Sequence, residues 1–432
     1  MSVVTLQFGQ CGNQVGQALF LDLYNDIKGD TNKISVGKRS NIEYASEAAN
    51  KWFHINKSGE WEARSILIDT ENKVTALANK NNKNNNNVPY KFKNIVAKCH
   101  GGAANNWAYG YSCKSQLLMA DIIEGVRKET EKCDFVSSIF SILSSAGGTG
   151  SGVGSRTMEV LRDEYPNKTM LNTMVLPYRD GEVVTQNYNS LLTLAKLYDI
   201  TDATYLYEND AVHLMCTKTL SLTNVTFHDI NSIIAQQLSA VLQPVGNVSI
   251  SRVVANLAAH PRYKFIQVKS APHVSKEHSK YEALSSWAIL VNRVRTSLKS
   301  NCGVYDLKSA TEFTRKLKCV GNMLISRGNG APSEEDIKPL TDVLLYVPWL
   351  PSQVRLTHFH QNRNFLDLNR FLVLCTNNNS VCLPVDCVLE EAWSLFTSKA
   401  FLHHYKKYDI DEQYFHGAFE DIEEIIRNYN SL

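Results

Sequence analysis

Long apolar runs are missing from this 432-residue chain: none approaches the ~20 residues that a membrane-crossing helix needs. The opening MSVVTLQFGQ lacks a basic head followed by an apolar stretch, which excludes the pattern of a secretory leader and reads as a strand. Charge of one sign is not in excess either. With 45 Lys and Arg against 43 Asp and Glu, the net charge of +2 gives no broad field for nucleic acid or for strongly acidic partners. Ten cysteines, from Cys11 to Cys387, show no paired spacing, which argues against a disulfide scaffold and for a reducing compartment. The expectation is a cytosolic protein that meets no membrane and no nucleic acid and recognises its partners through local features. Its length allows two or three domains and an ample core.

What is present begins with punctuation. VVTLQF (3–8) is a short β-rich run ending in GQCGNQVG, after which Val15, Leu19, Leu23 and Ile27 recur at helical spacing. The same order returns at FVSSIFSIL (135–143), followed by SSAGGTGSGVGS (144–155) and then by Val153, Thr157, Val160 and Leu161. Apolar strand candidates at 64–70, 173–177 and 203–209 alternate with helical stretches, predicting a doubly wound α/β sheet whose ligand sits where strands end. A helix is predicted from Val225 to Leu242, stopped by Pro244 and Gly246. Beyond it YKFIQV (263–268) and DVLLYVPWLP (342–351) are strand candidates of another domain. Two amphipathic helices close the chain, one striped by Leu389, Trp393, Phe396 and Ala400, the other by Phe415, Phe419, Ile422, Ile426 and Tyr429. Their joint is expected near Asp409 to Asp411, and the wet face of the last helix carries Glu420, Asp421, Glu423 and Glu424. The asparagine-rich NKNNKNNNN (79–87) reads as a mobile surface loop.

The stretch 144–155 packs five glycines into twelve residues between a buried strand and a helix. Such a loop presents unpaired backbone N–H groups at the positive end of a helix dipole, which is how proteins bind phosphate. A Cβ would block close approach of that backbone, and the hydroxyls of Ser144, Thr149 and Ser151 can add hydrogen bonds. The stretch is neither a lysine-bearing P-loop nor a G-x-G-x-x-G fingerprint. A flexible linker is the bland alternative, and the strand and helix signals on either side argue against it. Two further glycine turns, GQCGNQVG (9–16) and GGAANNWAYG (101–110), belong to elements that could reach the same sheet edge.

These segments resemble the tubulin superfamily. AGGTGSG (146–152) matches that family's signature; GQCGNQ (9–14), ANNWAYG (104–110), QNYNSLLTLAKLY (186–198) and WSLFTSKAFLHHY (393–405) follow in the family's order. The resemblance implies the tubulin fold: an α/β, Rossmann-like GTP-binding domain (1–209), a core helix region (210–243), an α+β intermediate domain (244–380) and a C-terminal helical hairpin (381–432). It implies GTP or GDP with Mg2+ as cofactors. Carried over by motif, Gln10, Cys11 and Gln14 would touch phosphates and base, and Glu71 would face the magnesium through water. Ala103, Ala104 and Asn105 would approach the γ-phosphate. Ser144, Ala146, Gly147, Gly148, Thr149, Gly150, Ser151 and Gly152 would cradle the phosphates. Gln186 stands where beta-tubulin has a ribose-binding glutamate, Asn209 and Asn231 would bond guanine, and Phe227 would stack on it. The residue chemistry agrees, since amides offer donor and acceptor to a guanine edge and an aromatic ring offers a face.

The resemblance also implies partners: other tubulins, joined head to tail, so that the loop PVGNVSISRVVANL (244–257) completes a neighbour's nucleotide site. Alpha-tubulin carries there a glutamate that activates water; the matching residue is Arg252, as beta-tubulin has a basic residue. A guanidinium stays protonated near neutral pH and cannot act as base, so no catalytic residue is assigned to this loop. SSAGGTGSGVGS, GEVVTQNYNSLLTL and ENDAVH together are most similar to the delta branch of the family, ahead of a gamma-like nucleator or a divergent alpha or beta subunit. That branch implies centriolar or basal-body proteins as partners and the cytoskeleton of centriole, centrosome or cilium base as the location. The end IIRNYNSL carries no glutamate-rich tail, so recognition through such a tail is not expected. A zinc reading of Cys382 and Cys387 with His358 and His360 competes with plain core cysteines, which the loose spacing favours. His403 and His404 beside Lys406 and Lys407 read as a solvated helix end. A dinucleotide-dependent oxidoreductase would need a ribose-binding acid after the first glycine turn.

Overall fold

The computed structural model describes residues 1–29, 38–71, 90–97, 101–181, 183–246, 249–273, 286–300, 317–366 and 368–432. The asparagine-rich stretch 79–87 lies outside them. The chain forms two compact units: Met1–Phe20, Asn50–Asn209 and Pro384–Asn428 make the first, and Leu21–Ala49, Asp210–Leu383 and Tyr429–Leu432 the second.

Six parallel strands carry the first unit: β1 (Ser2–Phe8), β2 (Ser65–Asp69), β3 (Asn94–Ala97), β4 (Val136–Ser144), β5 (Thr169–Leu176) and β6 (Ala203–Glu208). They lie in the order β3-β2-β1-β4-β5-β6, every neighbouring pair parallel. The direction of winding reverses between β1 and β4, the position where open α/β sheets bind ligands. Strands buried on both faces read as near-continuous apolar runs, as the ILI of SILID does; VSSIFSILS carries four serines and is nonetheless buried along most of its length. The helices along this stretch of chain are α1 (Gly9–Lys28), α2 (Lys38–Trp52), α3 (Ser115–Glu131), α4 (Gly154–Glu164) and α5 (Gln186–Ile200), with α6 (Asn209–Lys218) after the last strand; the end of α1, most of α2 and nearly all of α6 belong to the second unit. Val15 and Leu19 are buried on α1, and Val153 and Leu161 beside and on α4.

In the second unit α7 (Phe227–Leu242), α8 (Ile250–Leu257) and α9 (Trp287–Ser300) accompany the strands β7 (Phe265–Ala271), β8 (Cys319–Gly328), β9 (Leu356–Gln361) and β10 (Arg370–Asn378). This sheet is mixed: β8 runs parallel to β9, while β10 is antiparallel to both β7 and β8. Trp287, Leu290, Val291 and Val294 of α9 pack with Leu324, Leu372 and Leu374 of the sheet. Helix α7 begins at Phe227, two residues later than the apolar pattern predicts. Thr226 and Asp229 form a reciprocal capping box that fixes the start.

The strand expected at 342–351 does not form. Asp342 accepts a hydrogen bond from the Leu344 N–H at 3.0 Å and turns Val343–Leu345 into one 3₁₀ turn; only Tyr346 makes a bridge, to Cys319. Pro348 and Pro351 have no N–H to give a ladder. The final helices are α10 (Cys382–Thr397) and α11 (Glu412–Asn430). Ala400 lies beyond α10, and a short helical turn, Leu402–Lys406, stands between them. Within the first unit Trp393 stacks on Phe419 at 4.0 Å between ring centroids, and Phe396 meets Phe415 at 5.8 Å. Phe415, Phe419, Ile422, Ile426 and Tyr429 are all buried, and Glu420, Asp421 and Glu424 are exposed.

Candidate nucleotide site

Because all six strands of the first unit point the same way, every loop that follows a strand emerges at one edge. Gly9 follows β1, Thr70 and Glu71 follow β2, residues 101–107 come after β3, Ser145–Thr149 follow β4, and Asn209 follows β6. Three of these loops touch through backbone alone. Gly9 adopts φ +66°, and a Cβ there would lie 3.1 Å from the Gly150 nitrogen. A Cβ on Gly148 would overlap the Ala103 carbonyl oxygen and come within 2.9 Å of the Asn106 nitrogen. The glycine loop opens α4 through a π-helical turn, Thr149–Val153, and a second such turn, Tyr109–Lys114, opens α3. Gly110 and Gly152 stand at their seam, where a Cβ on Gly152 would lie 3.0 Å from the Gly110 Cα. Wide helical turns of this kind concentrate at functional sites.

The first turn of a helix leaves N–H groups without intrahelical partners, so the convergence of two helix starts, α1 and α4, gives one patch of donors beside the β1/β4 reversal. Ala104 and Asn105 adopt φ +50° and +49°, the left-handed region that costs a non-glycine residue free energy. Asn106 caps the turn that follows by accepting the Tyr109 N–H at 3.0 Å. Thr70 and Thr149 hydroxyls meet at 2.6 Å, joining the loop after β2 to the glycine loop. The Glu71 carboxylate lies against Gly102. Burial pushes the neighbouring Asp69 carboxyl up to about 6, with the Glu71 N–H donating to it at 3.2 Å.

Other expected residues show how their side chains are engaged. Ser151 is fully buried, and its hydroxyl is engaged by donating to the Gly147 carbonyl. Ser144 accepts weakly from the Ala146 N–H at 3.4 Å. Gln186, 5% exposed, donates through Nε2 to the carbonyls of Tyr178 at 2.8 Å and Arg179 at 3.2 Å, with its Oε1 against Gly181. Gln10 is exposed, Cys11 and Gln14 are half-buried, and burial raises the Cys11 thiol to about 12, which keeps it a thiol rather than a nucleophile. Phe227 and Asn231 belong to the second unit: Phe227 is the first residue of α7 and 60% exposed, and Asn231 is buried one turn later.

Sequence reasoning passed over Asn189 altogether. Fully buried on α5, it donates through Nδ2 to the carbonyls of Asn105 at 2.8 Å and Ala146 at 2.7 Å, and accepts at Oδ1 from the Trp107 N–H at 2.9 Å and the Tyr405 hydroxyl at 2.7 Å. The sequence marks it only as one of three amides, with Gln186 and Asn187, in the first turn of α5. The zinc reading dissolves: His358 Nε2 and His360 Nδ1 both bond the Ser326 hydroxyl at 2.9 Å, Cys382 is buried on α10, and no metal-binding group of side chains occurs among the described residues. No helix among the described residues is long and apolar enough to cross a membrane.

Residues 2–217 match the family model "Tubulin/FtsZ family, GTPase domain". The chain belongs to the tubulin family. It is 34% identical to the tubulin delta chain of Homo sapiens and 33% identical to that of Macaca fascicularis, in each case over the whole of both chains. The tubulin beta-6 chain of Gallus gallus is 28% identical over 99% of this chain and 94% of that one. The delta-type assignment follows from the full-length similarity, and the GTPase-domain match carries guanine-nucleotide binding with it. The glycine-loop geometry described above is therefore that of a tubulin-family nucleotide domain.

Proposed function

We propose that this delta-type tubulin binds GTP or GDP with Mg2+ at the C-terminal edge of the first unit's sheet and joins other tubulins head to tail in the triplet microtubules of centrioles and basal bodies. The single observation carrying the nucleotide part is the backbone convergence of Gly9, Ala103 and Gly148 to Gly152. In this reading Gln10, Cys11 and Gln14 contact the nucleotide from α1, Ala103 to Asn105 approach the terminal phosphate, and Ser144 with Ala146 to Gly152 enclose the phosphates. Asn209, Asn231 and Phe227 take the base. The donor chemistry beside the loop fits a hard dication: carboxylate oxygens of Asp69 and Glu71 and hydroxyls of Thr70 and Thr149. Glu71 is the residue that would hold it, through water, and the ion would neutralise phosphate charge. Gln186, bonded to the 178–179 backbone, acts in this reading by shaping the loop above the ribose.

Arg252 argues for slow turnover by self-association. Its N–H is bonded to the Ser249 side chain at 3.2 Å in the first turn of α8, and its guanidinium lies 5.5 Å from the Phe359 ring. A protonated guanidinium donates and does not accept, so a neighbour docked on this loop receives no base. A partner carrying an acid in the corresponding loop could complete this chain's own site. Gently purified protein should release guanine nucleotide and magnesium on denaturation; an empty protein that also shows no thermal shift with saturating GTP refutes the reading. Phosphate release on mixing with alpha-tubulin separates the partner-activated GTPase from a purely structural subunit.

A further inference from the structure

The amide of Asn189 has two donors and two acceptor lone pairs, and all four are used. Two partners lie on the 101–107 loop, one on the glycine loop, and the fourth is the Tyr405 hydroxyl, in the short turn before α11. No other side chain of this size offers that set: aspartate would set a carboxylate oxygen against the Asn105 and Ala146 carbonyls in place of the donor, and leucine would take a bond from each of four polar groups, of which the Asn105 carbonyl keeps one from the Thr185 hydroxyl at 3.2 Å.

Both segments gripped by this amide are held in unfavourable backbone conformations. Ala104 and Asn105 are left-handed on one side, and Lys399, Phe401 and Asp409 on the other, with φ of +54°, +59° and +63°. Further bonds reach the 399–409 segment, from Asn106 Nδ2 on the same loop to the His404 carbonyl and from the Ser112 hydroxyl in the π-helical turn that follows to the Tyr408 carbonyl, each 3.2 Å. A segment that is costly to hold persists only while its surroundings fix it. Displacement of Asn105 therefore acts on Tyr405 through one rigid amide.

We infer that Asn189 is a positioning residue for the phosphate site, and that through Tyr405 the segment 399–409 shares in setting the preference for a nucleoside triphosphate over a diphosphate. The inference rests on the nucleotide reading above. In that reading a third phosphate would reach the 103–105 backbone and a diphosphate would not, so only the triphosphate would draw on the clamp. By linkage, whatever the segment contributes to that preference, the triphosphate returns as order in the segment.

The decisive variant is Tyr405→Phe in the full chain, which keeps the ring packed against Tyr188 and Phe415 and removes only the hydroxyl. GDP and a non-hydrolysable GTP analogue, each with magnesium, are titrated, and amide exchange is followed over 399–411. Losing one net hydrogen bond should lower the triphosphate-to-diphosphate affinity ratio about fivefold and abolish the slowing of exchange that the triphosphate produces in the wild type. Tyr188→Phe, which removes a bond to the Ala400 carbonyl without touching Asn189, serves as control and should leave the ratio in place. Equal losses for both nucleotides, an unmoved ratio, or an equal shift in the control each overturn the inference while nucleotide binding itself survives. Failure of the wild type to bind either nucleotide overturns both this inference and the functional reading.

Discussion

The two units solve the burial of polar groups in opposite ways. In the first, parallel strands bring their loops to one edge, where glycine backbone packs on glycine backbone and the side chains of Thr70, Thr149 and Asn189 tie the loops together. In the second, the sheet is mixed, with β8 parallel to β9 and β10 antiparallel to β7 and β8, and the interior holds polar side chains bonded to one another. Arg363 pairs with Asp26 at 2.5 Å, and Tyr44 and Gln243 complete the carboxylate at 2.5 and 3.1 Å. Arg327, 2% exposed, donates to the carbonyls of Ala240 at 2.9 Å and Gln243 at 2.8 Å at the end of α7. The edge proposed for the nucleotide is built largely from closely packed main chain. A scaffold is built from side chains bonded to one another and to the main chain.

That contrast can be broken at its strongest points first. Arg363→Ala leaves Asp26 buried without its cation and should cost about 3–5 kcal/mol in chemical denaturation; a loss below about 1 kcal/mol would mean the pair is not buried in solution. Gly148→Ala should cost about 1–3 kcal/mol by overpacking and remove nucleotide binding, measured by titration with a fluorescent guanine nucleotide. Retained affinity would show that the loop has room for a side chain and that the backbone contact is not needed. Thr226→Ala removes a helix cap and should lower stability by about 1 kcal/mol, which exchange rates in the first turn of α7 would report.

Acid sharpens the comparison further. Burial lowers the imidazole of His273, bonded to Ser270 at 2.9 Å, to about 4. The unfolded chain then binds a proton that the folded chain refuses, so this group's contribution is present above about 6.5 and is lost as pH falls toward 4. Exchange protection of β7 in the second unit should weaken over that window, and His273→Gln should flatten the response.

Legibility in the sequence followed the same division. β1 and β4 could be read because each carries β-branched residues and is cut off by glycines, and the glycines announced backbone chemistry by themselves. β8 was missed because Asn322, Ser326 and Arg327 interrupt its apolar character, although all three are buried. Their partners lie far along the chain, as the bond from Arg327 to Ala240 illustrates, and no local pattern reports that. Val343 and Leu344 misled in the other direction: they carry β-branched and apolar character but are 62% and 76% exposed in a turn set by Asp342. Within the site, glycines and Asn105 stood out by motif, whereas Asn189 and Tyr405 gained meaning only when folding brought them to 2.7 Å.

The seam between the two π-helical turns has a mechanical corollary. Gly110 faces Gly148 and Gly152 with no side chain interposed, so there is no rotamer to give way and no flexible tip to absorb a push. The starts of α3 and α4 should consequently travel as one piece, like gear teeth cut without backlash.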